Sequence, residues 1–472
     1  MHDLATLAES ERHALYGRAL AEYDGRPKMP LTRRPGDPDD NVITNYPSLI
    51  VDKGVAFLFG NDQKIGVKPK GATTDNDKKA EELLEEIWPE DERAEDLIDL
   101  ATNGAIFGDV WAKIVLTDGE PRVCVLDPMN MTAFWSADDY RDVWRYRSEY
   151  NTFNEAGDAV VRRQDIEREG AGQSAFWWIR DFESKADQKA WVELHDPIKW
   201  KWAKAPVYHV KNLPKANEFY GKPDLTKYTL ALAHYLNRAD SLINRILRLY
   251  AHPKPIAKNL RSQDLNLGST DILFLPQADQ ELSLLEMKSD LQGALAFRKQ
   301  LREALAEVSH VPEIATSKSE NIGQLSGRAL QILYAPLIDR TKVKRRLYGR
   351  FLKALVAGLL EVKGITDQEV SINWAEMLPT DEKESAETAL NLMQIGVSKE
   401  TLQERMGFNP VKEKQRTEAE GGDMASIMLR AFDGGKLDTG ATAAGPGKGD
   451  KASVDGDRAP QSFTPGAGTL DG

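Results

Sequence analysis

A single cysteine, Cys124, in 472 residues excludes an internal disulfide and any multi-cysteine metal knot. It sits in PRVCVLDP, which reads as a strand, so a buried and inert thiol is expected. No apolar run approaches the roughly 20 residues that a membrane-spanning helix needs. The amino terminus is polar and charged and has no hydrophobic signal segment, so manufacture and assembly in a reducing cytoplasm are expected. No GxxxxGK[ST] phosphate loop is present, which excludes an ATP-hydrolysing role. The seven histidines (His2, His13, His195, His209, His234, His252 and His310) are dispersed and form no HExxH or paired-ligand motif. His195 and Asp196 are adjacent, and on a strand their side chains would face opposite ways, which makes a poor catalytic pair. Asp37, Asp39 and Asp40 lie beside prolines and read as a solvated linker rather than a metal site. No catalytic residue, metal site or cofactor is expected.

The chain is long enough for two to four domains with a sizeable core. Its formal net charge of -12 argues against a protein that coats nucleic acid indiscriminately. Contact with an anion such as DNA would have to be local.

The strongest local signal is SGRALQILYAPLIDRTKVKRRLYGRFLKALVAGLLEV, from Ser326 to Val362. Leu330, Leu333, Leu337, Leu347, Phe351, Leu355 and Leu359 recur at helical spacing and define an apolar face. Pro336 removes one amide donor and is expected to kink the helix rather than end it. Seven basic residues follow between Arg340 and Lys353: Arg340, Lys342, Lys344, Arg345, Arg346, Arg350 and Lys353. Leu347, Phe351 and Leu355 are the assembly-helix candidates.

Elsewhere the pattern alternates between helical and β-rich. An amphipathic helix covers residues 1–22, and an interior helix ends near Gly60 with Pro47 in its first turn. A short strand at 65–69 precedes helices at 77–87 and 93–107. VWAKIVL, the Asp118-Gly119 turn and PRVCVLD make a β-hairpin. The β-rich region runs to about Val210, and its Trp177, Trp178, Trp191, Trp200 and Trp202 are expected to serve packing rather than base stacking. Asp224 is the expected cap of a helix from Leu225 to Tyr250, about 39 Å long. A compact β excursion with DILFLP as a strand fills 254–285, and a second helix runs from Leu285 to Val308. A polar connection, the long helix, a strand in EVSINWAEM, a helix from Asp381 to Met393 and a short one capped at Ser398 or Thr401 complete the ordered part. From Gly434 the chain holds ten glycines and is expected to be disordered in isolation.

With these elements in order, the chain resembles the portal proteins of tailed bacteriophages, specifically the Bacillus-phage-like Gp6 portal family. The resemblance runs from about Asn41 to Gly407. It is carried by NYPSLIVDKGVAFLFG at 45–60, GDVWAKIVLTDG at 108–119, LDP at 126–128, HVKNLPKANEFYGKPDL at 209–225 and HYLNRADSLIN at 234–244. VP at 311–312, LSGRAL at 325–330 and GVSKETL at 396–402 continue it.

The resemblance implies an α+β portal architecture with wing, paired-helix stem, small clip and helical crown. Its divisions would be an N-terminal arm and wing at 1–224, stem helices at 225–250 and 286–309, and the clip at 251–285. A channel loop at 310–325, the kinked helix and wing return at 326–380, the crown at 381–432 and a tail at 433–472 would follow. It further implies a non-catalytic ring, of twelve subunits in this family, set at a unique capsid vertex of the virion. The ring would conduct double-stranded DNA during packaging and ejection as a head-tail connector. Its partners would be the terminase large subunit, the major capsid protein, a scaffolding protein and a head-completion or tail connector protein, with no membrane. In such a ring Lys318 is a candidate for channel-loop contact with DNA. Arg340, Lys344, Arg345 and Arg346 are candidates for DNA or intersubunit contact, the other reading being salt bridges to nearby acids. The competing functions are a capsid adaptor without a channel and a metal-dependent DNA-processing enzyme.

Overall fold

The computed structural model describes residues 2–33, 35–36, 38–60, 66–69, 75–170, 175–185, 190–251, 255–258, 281–284, 291–312, 327–366, 370–374 and 377–378, with short stretches and single positions between 391 and 416. The chain divides into two compact units, Met1–Asp381 and Glu382–Gly472. In the second, residues 391–394 are helical, and Thr401 N donates to Ser398 Oγ over 3.3 Å, which makes Ser398 the cap of its short helix. Lys318, the DILFLP segment, most of the 381–393 helix and the glycine-rich tail lie outside the described residues.

The first unit is α+β. Helix α1 (His2–Tyr23) leads to α2 (Tyr46–Phe59). Asn45 caps α2 by accepting from Ser48 N at 3.1 Å, and Pro47 falls in the first turn, where no amide partner is required. Strand β1 (Gly66–Pro69), α3 (Asp75–Ile87) and α4 (Glu90–Phe107) follow. Gly108 ends α4 in the left-handed region at φ 91°, with its amide on the Gly104 carbonyl. The hairpin β2 (Asp109–Thr117) and β3 (Glu120–Leu126) turns on Asp118 and Gly119 at φ 54° and 88°, the signature that suits strand twist. Next come β4 (Met131–Trp135), β5 (Val143–Phe153), β6 (Ala159–Glu169), β7 (Phe176–Lys185), β8 (Val192–Glu193), β9 (Ile198–Trp200) and β10 (Val207–Lys211).

These strands make two antiparallel sheets. One has the order β10–β2–β3; the other runs β4–β5–β6–β7, with β8 and β9 both pairing β7. They face each other across a gap. Trp111 of β2 meets Tyr146 of β5 edge-on at 6.0 Å, and Lys113 donates to Gln164 of β6. Cys124 lines this gap and is half-buried rather than buried, because the sheets do not close over it. Trp177 and Trp200 are core residues, while Trp202 donates its indole N–H to the Glu361 carbonyl at 3.2 Å.

Helix α5 (Lys227–Ala251) begins two residues later than expected. Strands β11 (Pro255–Lys258) and β12 (Glu281–Leu284) pair antiparallel and connect it to α6 (Leu291–Ser309). Arg298 of α6 bonds Asp240 of α5, and Arg340 reaches both Asp224 and Ser309, so the start of α5 lies beside the end of α6. The two helices are therefore antiparallel. Helix α7 (Gly327–Val362) runs unbroken through Pro336, which lies on an exposed turn. Strand β13 (Val370–Asn373) pairs β1 across the chain.

Two hydrophobic cores result. One lies among α3, α4, the β2 sheet and the second half of α7, with Phe351, Leu355 and Leu359 buried. The other gathers α1, α2, α5, the end of α6 and Leu337 of α7. Helix α7 belongs to both.

Candidate functional site

Where α7 crosses between the cores, its inward face meets Asp224, which is almost wholly buried. Asp224 does not cap α5. Thr226 does, its hydroxyl accepting from Thr229 N at 3.2 Å. The Asp224 carboxylate takes Lys344 Nζ at 2.5 Å on Oδ2, and Arg340 Nη2 at 3.0 Å with Asn212 Nδ2 at 3.1 Å on Oδ1. Arg340 donates its other terminal nitrogen to the Ser309 carbonyl at 3.0 Å. Tyr348, one turn beyond Lys344, donates to Asn212 Oδ1 at 3.1 Å. Burial opposes ionisation of Asp224, but the Lys344 and Arg340 charges prevail and hold its carboxyl below the usual range. Burial also lowers the Lys344 ammonium, against the pull of Asp224. Glycines make room for this cluster. A Cβ at Gly54 would stand 3.2 Å from Asp224 Oδ2, and one at Gly104 would overlap Tyr348 Oη and lie 2.9 Å from Val110 Cγ2.

The cluster joins α2, the 212 loop, the start of α5, the end of α6 and α7 through one anion. It accounts for two of the four cations singled out on α7. Arg340 and Lys344 are turned inward onto Asp224. Arg345 is half-buried, donates to the Phe57 carbonyl at 3.1 Å and covers the Trp374 ring at 5.3 Å. Only Arg346 faces solvent. Leu347 is partly buried against the first core, and Phe351 and Leu355 are fully inside it.

Arg346 is not isolated. Lys342, Arg350 and Lys353 are also exposed, and their spacing of four, four and three residues places all four cations on one face of α7. The stripe spans about 16 Å at 1.5 Å per residue. Lys342 pairs with Asp339 at 3.0 Å; Arg346, Arg350 and Lys353 have no acidic partner among the described residues. The sequence block of seven bases thus divides by helical angle into a structural set and a solvent-facing set.

Two more buried ionic groups were not legible in the chain. Asp109 accepts from Tyr16 at 3.0 Å and from Gly221 N at 2.9 Å, and pairs His209 at 2.8 Å, which ties α1 to the β2 sheet. Asp40, expected in a solvated linker, is buried and holds Arg245 at 2.9 Å and Arg248 at 2.6 Å. Hydrogen bonding to Arg248, then to Arg245, brings its carboxyl down to about 2. The linker is therefore clamped to α5.

Among the described residues no group of three or more His, Cys, Asp or Glu could hold a metal ion, and no helix is long and apolar enough to cross a membrane. The cavity beside Asp224 is lined by its own ion pairs and by Ile50, Val311 and Leu337.

Among solved structures, the chain is similar to one in the neck of an empty GTA particle, with TM-score 0.47, 14% identity, and coverage of 77% of this chain and 89% of that one. A chain from the virion of a native gene transfer agent particle gives TM-score 0.45 and 13% identity over 84% of this chain and 99% of that one. A chain from the neck of the native particle gives 0.44 and 13% over 78% and 90%. No curated protein matches the sequence. The family model for phage portal proteins of the SPP1 Gp6-like type matches residues 11–425, nearly the whole of the described chain. With that match across both sheets, the α5–α6 pair and α7 alike, the chain belongs to the SPP1 Gp6-like family of phage portal proteins.

Proposed function

We propose that this portal protein, a non-catalytic conduit for double-stranded DNA, handles the duplex through the solvent-facing stripe Lys342, Arg346, Arg350 and Lys353. The observation behind this reading is that three of the four cations lack an acidic partner among the described residues, on a helix whose inward cations are all engaged. Cyclic assembly turns one stripe into a belt of repeated charge. Such a belt contacts phosphates without reading bases, and its strength falls as salt rises. A chain that is acidic elsewhere keeps the duplex from adhering, so that it can move. Lys318 remains a second proposed contact, in the connection that leads into α7.

The Arg346→Ala, Arg350→Ala double variant tests this. Rings should form normally, while DNA retention weakens and the log–log salt slope falls by about 0.9 for each phosphate that is no longer neutralised. Normal packaging and retention would reject the DNA role and leave α7 as an assembly element.

Membership in the family supports the wider reading. We place the wing at 1–224, the stem in 225–250 and 286–309, the clip at 251–285, the channel loop at 310–325, the wing return at 326–380, the crown at 381–432 and the tail at 433–472. Twelve copies would occupy a single capsid vertex. The clip would dock the terminase large subunit and later a head-completion or tail connector protein, while the outer body meets the major capsid and scaffolding proteins. Electron microscopy of the purified protein separates this from an adaptor lacking a channel: a closed ring with an axial opening wide enough for duplex DNA is required.

A further inference from the structure

The two β-sheets do not close on each other, and the space between them is a cavity of about 220 Å3. An apolar cavity of about 150 Å3 is large enough to hold benzene. This one therefore has room for a single ring carrying a substituent. Side chains alternate across a strand, so alternate residues of β2, β3, β5 and β6 turn into it. At one end Trp111 meets Tyr146, and Met131, Ile166 and Val207 are buried in the wall. At the other Tyr150 is exposed beside its register partner Arg162, which marks the mouth.

Between these ends lies a polar centre. Lys113 and Cys124 are register partners on β2 and β3, and Ser148 and Gln164 are register partners on β5 and β6. Lys113 donates to Gln164 Oε1, Gln164 Nε2 donates to Asp181 Oδ1 at 2.7 Å, and Asp181 Oδ2 meets His195 Nε2 at 3.0 Å. Both Asp181 oxygens are thus engaged. The Lys113 ammonium has three donors and uses one among the described residues. Ser148 Oγ makes no hydrogen bond among the described residues. Burial lowers the Lys113 ammonium against the pull of Asp181, so an anion beside it would offset a cost that the fold already carries.

These groups define what fits. A carboxylate offers two oxygens to the donors of Lys113 and Ser148, and its bond to the ammonium is charge-assisted. A cation would be repelled by Lys113, and a purely apolar solute would leave both donors unsatisfied. The Tyr146 ring and the Met131 thioether suit an aromatic body. We propose that the cavity between the two sheets binds a small aromatic carboxylate, its ring among Met131, Tyr146 and Ile166 and its carboxylate on Lys113 Nζ and Ser148 Oγ. Lys113 belongs to one sheet and Ser148 to the other, so occupancy ties the sheets together.

Cys124 stands in the wall and is the one thiol of the chain, so its alkylation reports occupancy. The probe is 3-phenylpropionate, with 3-phenylpropanamide as its uncharged counterpart. Modification of the full chain by iodoacetamide is followed by intact mass, each variant being compared with itself without probe. At about five times Kd the rate should fall about sixfold. The carboxylate should bind at least about tenfold more tightly than the amide. In Lys113→Met that preference should disappear. Ser148→Ala removes a hydroxyl that the free chain leaves unbonded, so thermal melts should be unchanged while affinity falls about two- to tenfold. No protection at the highest soluble concentration, equal protection by carboxylate and amide, or unchanged affinity in both variants would each overturn the proposal. So would loss of Cys124 reactivity on ring assembly without probe, since a neighbouring copy would then fill the cavity. None of these outcomes touches the portal reading.

Discussion

Replacing Asp224 by asparagine removes the one negative charge that serves both Lys344 and Arg340, whose side chains are mostly buried. Breaking a buried pair by deleting one partner destabilises by about 3–5 kcal/mol, because the remaining charge is left uncompensated. Here two cations are stranded, so the upper half of that range is expected. Lys344→Met is milder. Asp224 keeps Arg340 and Asn212, and the methionine fills the lysine stem's space, so a loss of about 1–3 kcal/mol is expected. In the double variant no buried ammonium is stranded, and its loss should fall short of the summed single losses by at least about 1 kcal/mol. Urea unfolding followed by tryptophan fluorescence, at fixed protein concentration, measures all three. Additivity within about 0.5 kcal/mol would refute the direct pairing. So would a loss from Asp224→Asn alone of less than about 1 kcal/mol.

Asp40 has a folded pKa below its unfolded value, so its contribution is present above about pH 4 and is lost as pH falls toward about 2. Asp40→Asn should lower the melting temperature at neutral pH, and its difference from the unaltered protein should vanish toward pH 2 in a pH series of thermal melts. Phe351→Ala empties a buried aromatic site in the first core and should lower unfolding free energy by about 3–5 kcal/mol in urea titration. Gly104→Ala forces a methyl group against Tyr348 Oη and Val110, and a loss of about 1–3 kcal/mol is expected in the same assay. Thr226→Ala removes the cap of α5 and should lower stability by about 1 kcal/mol, read as faster hydrogen exchange in the first turn of the helix.

The sequence by itself determined the periodic elements. Leucine spacing defined α7, Asp118-Gly119 defined the β2–β3 turn, and the run before Gly60 defined α2, because these signals depend on neighbours within one turn or one hairpin. The ordered motifs pointed to the portal family. Tertiary structure decided the rest, since it depends on which distant groups meet. Asp224 reads locally as a helix cap, yet Lys344, 120 residues away, claims its carboxylate. Asp40 reads as a loop acid until Arg245 and Arg248 come round on α5. The basic block on α7 is uniform in sequence. Only the packed core, by choosing which side of the helix turns inward, commits Arg340 and Lys344 to buried pairs and leaves Lys342, Arg346, Arg350 and Lys353 in solvent.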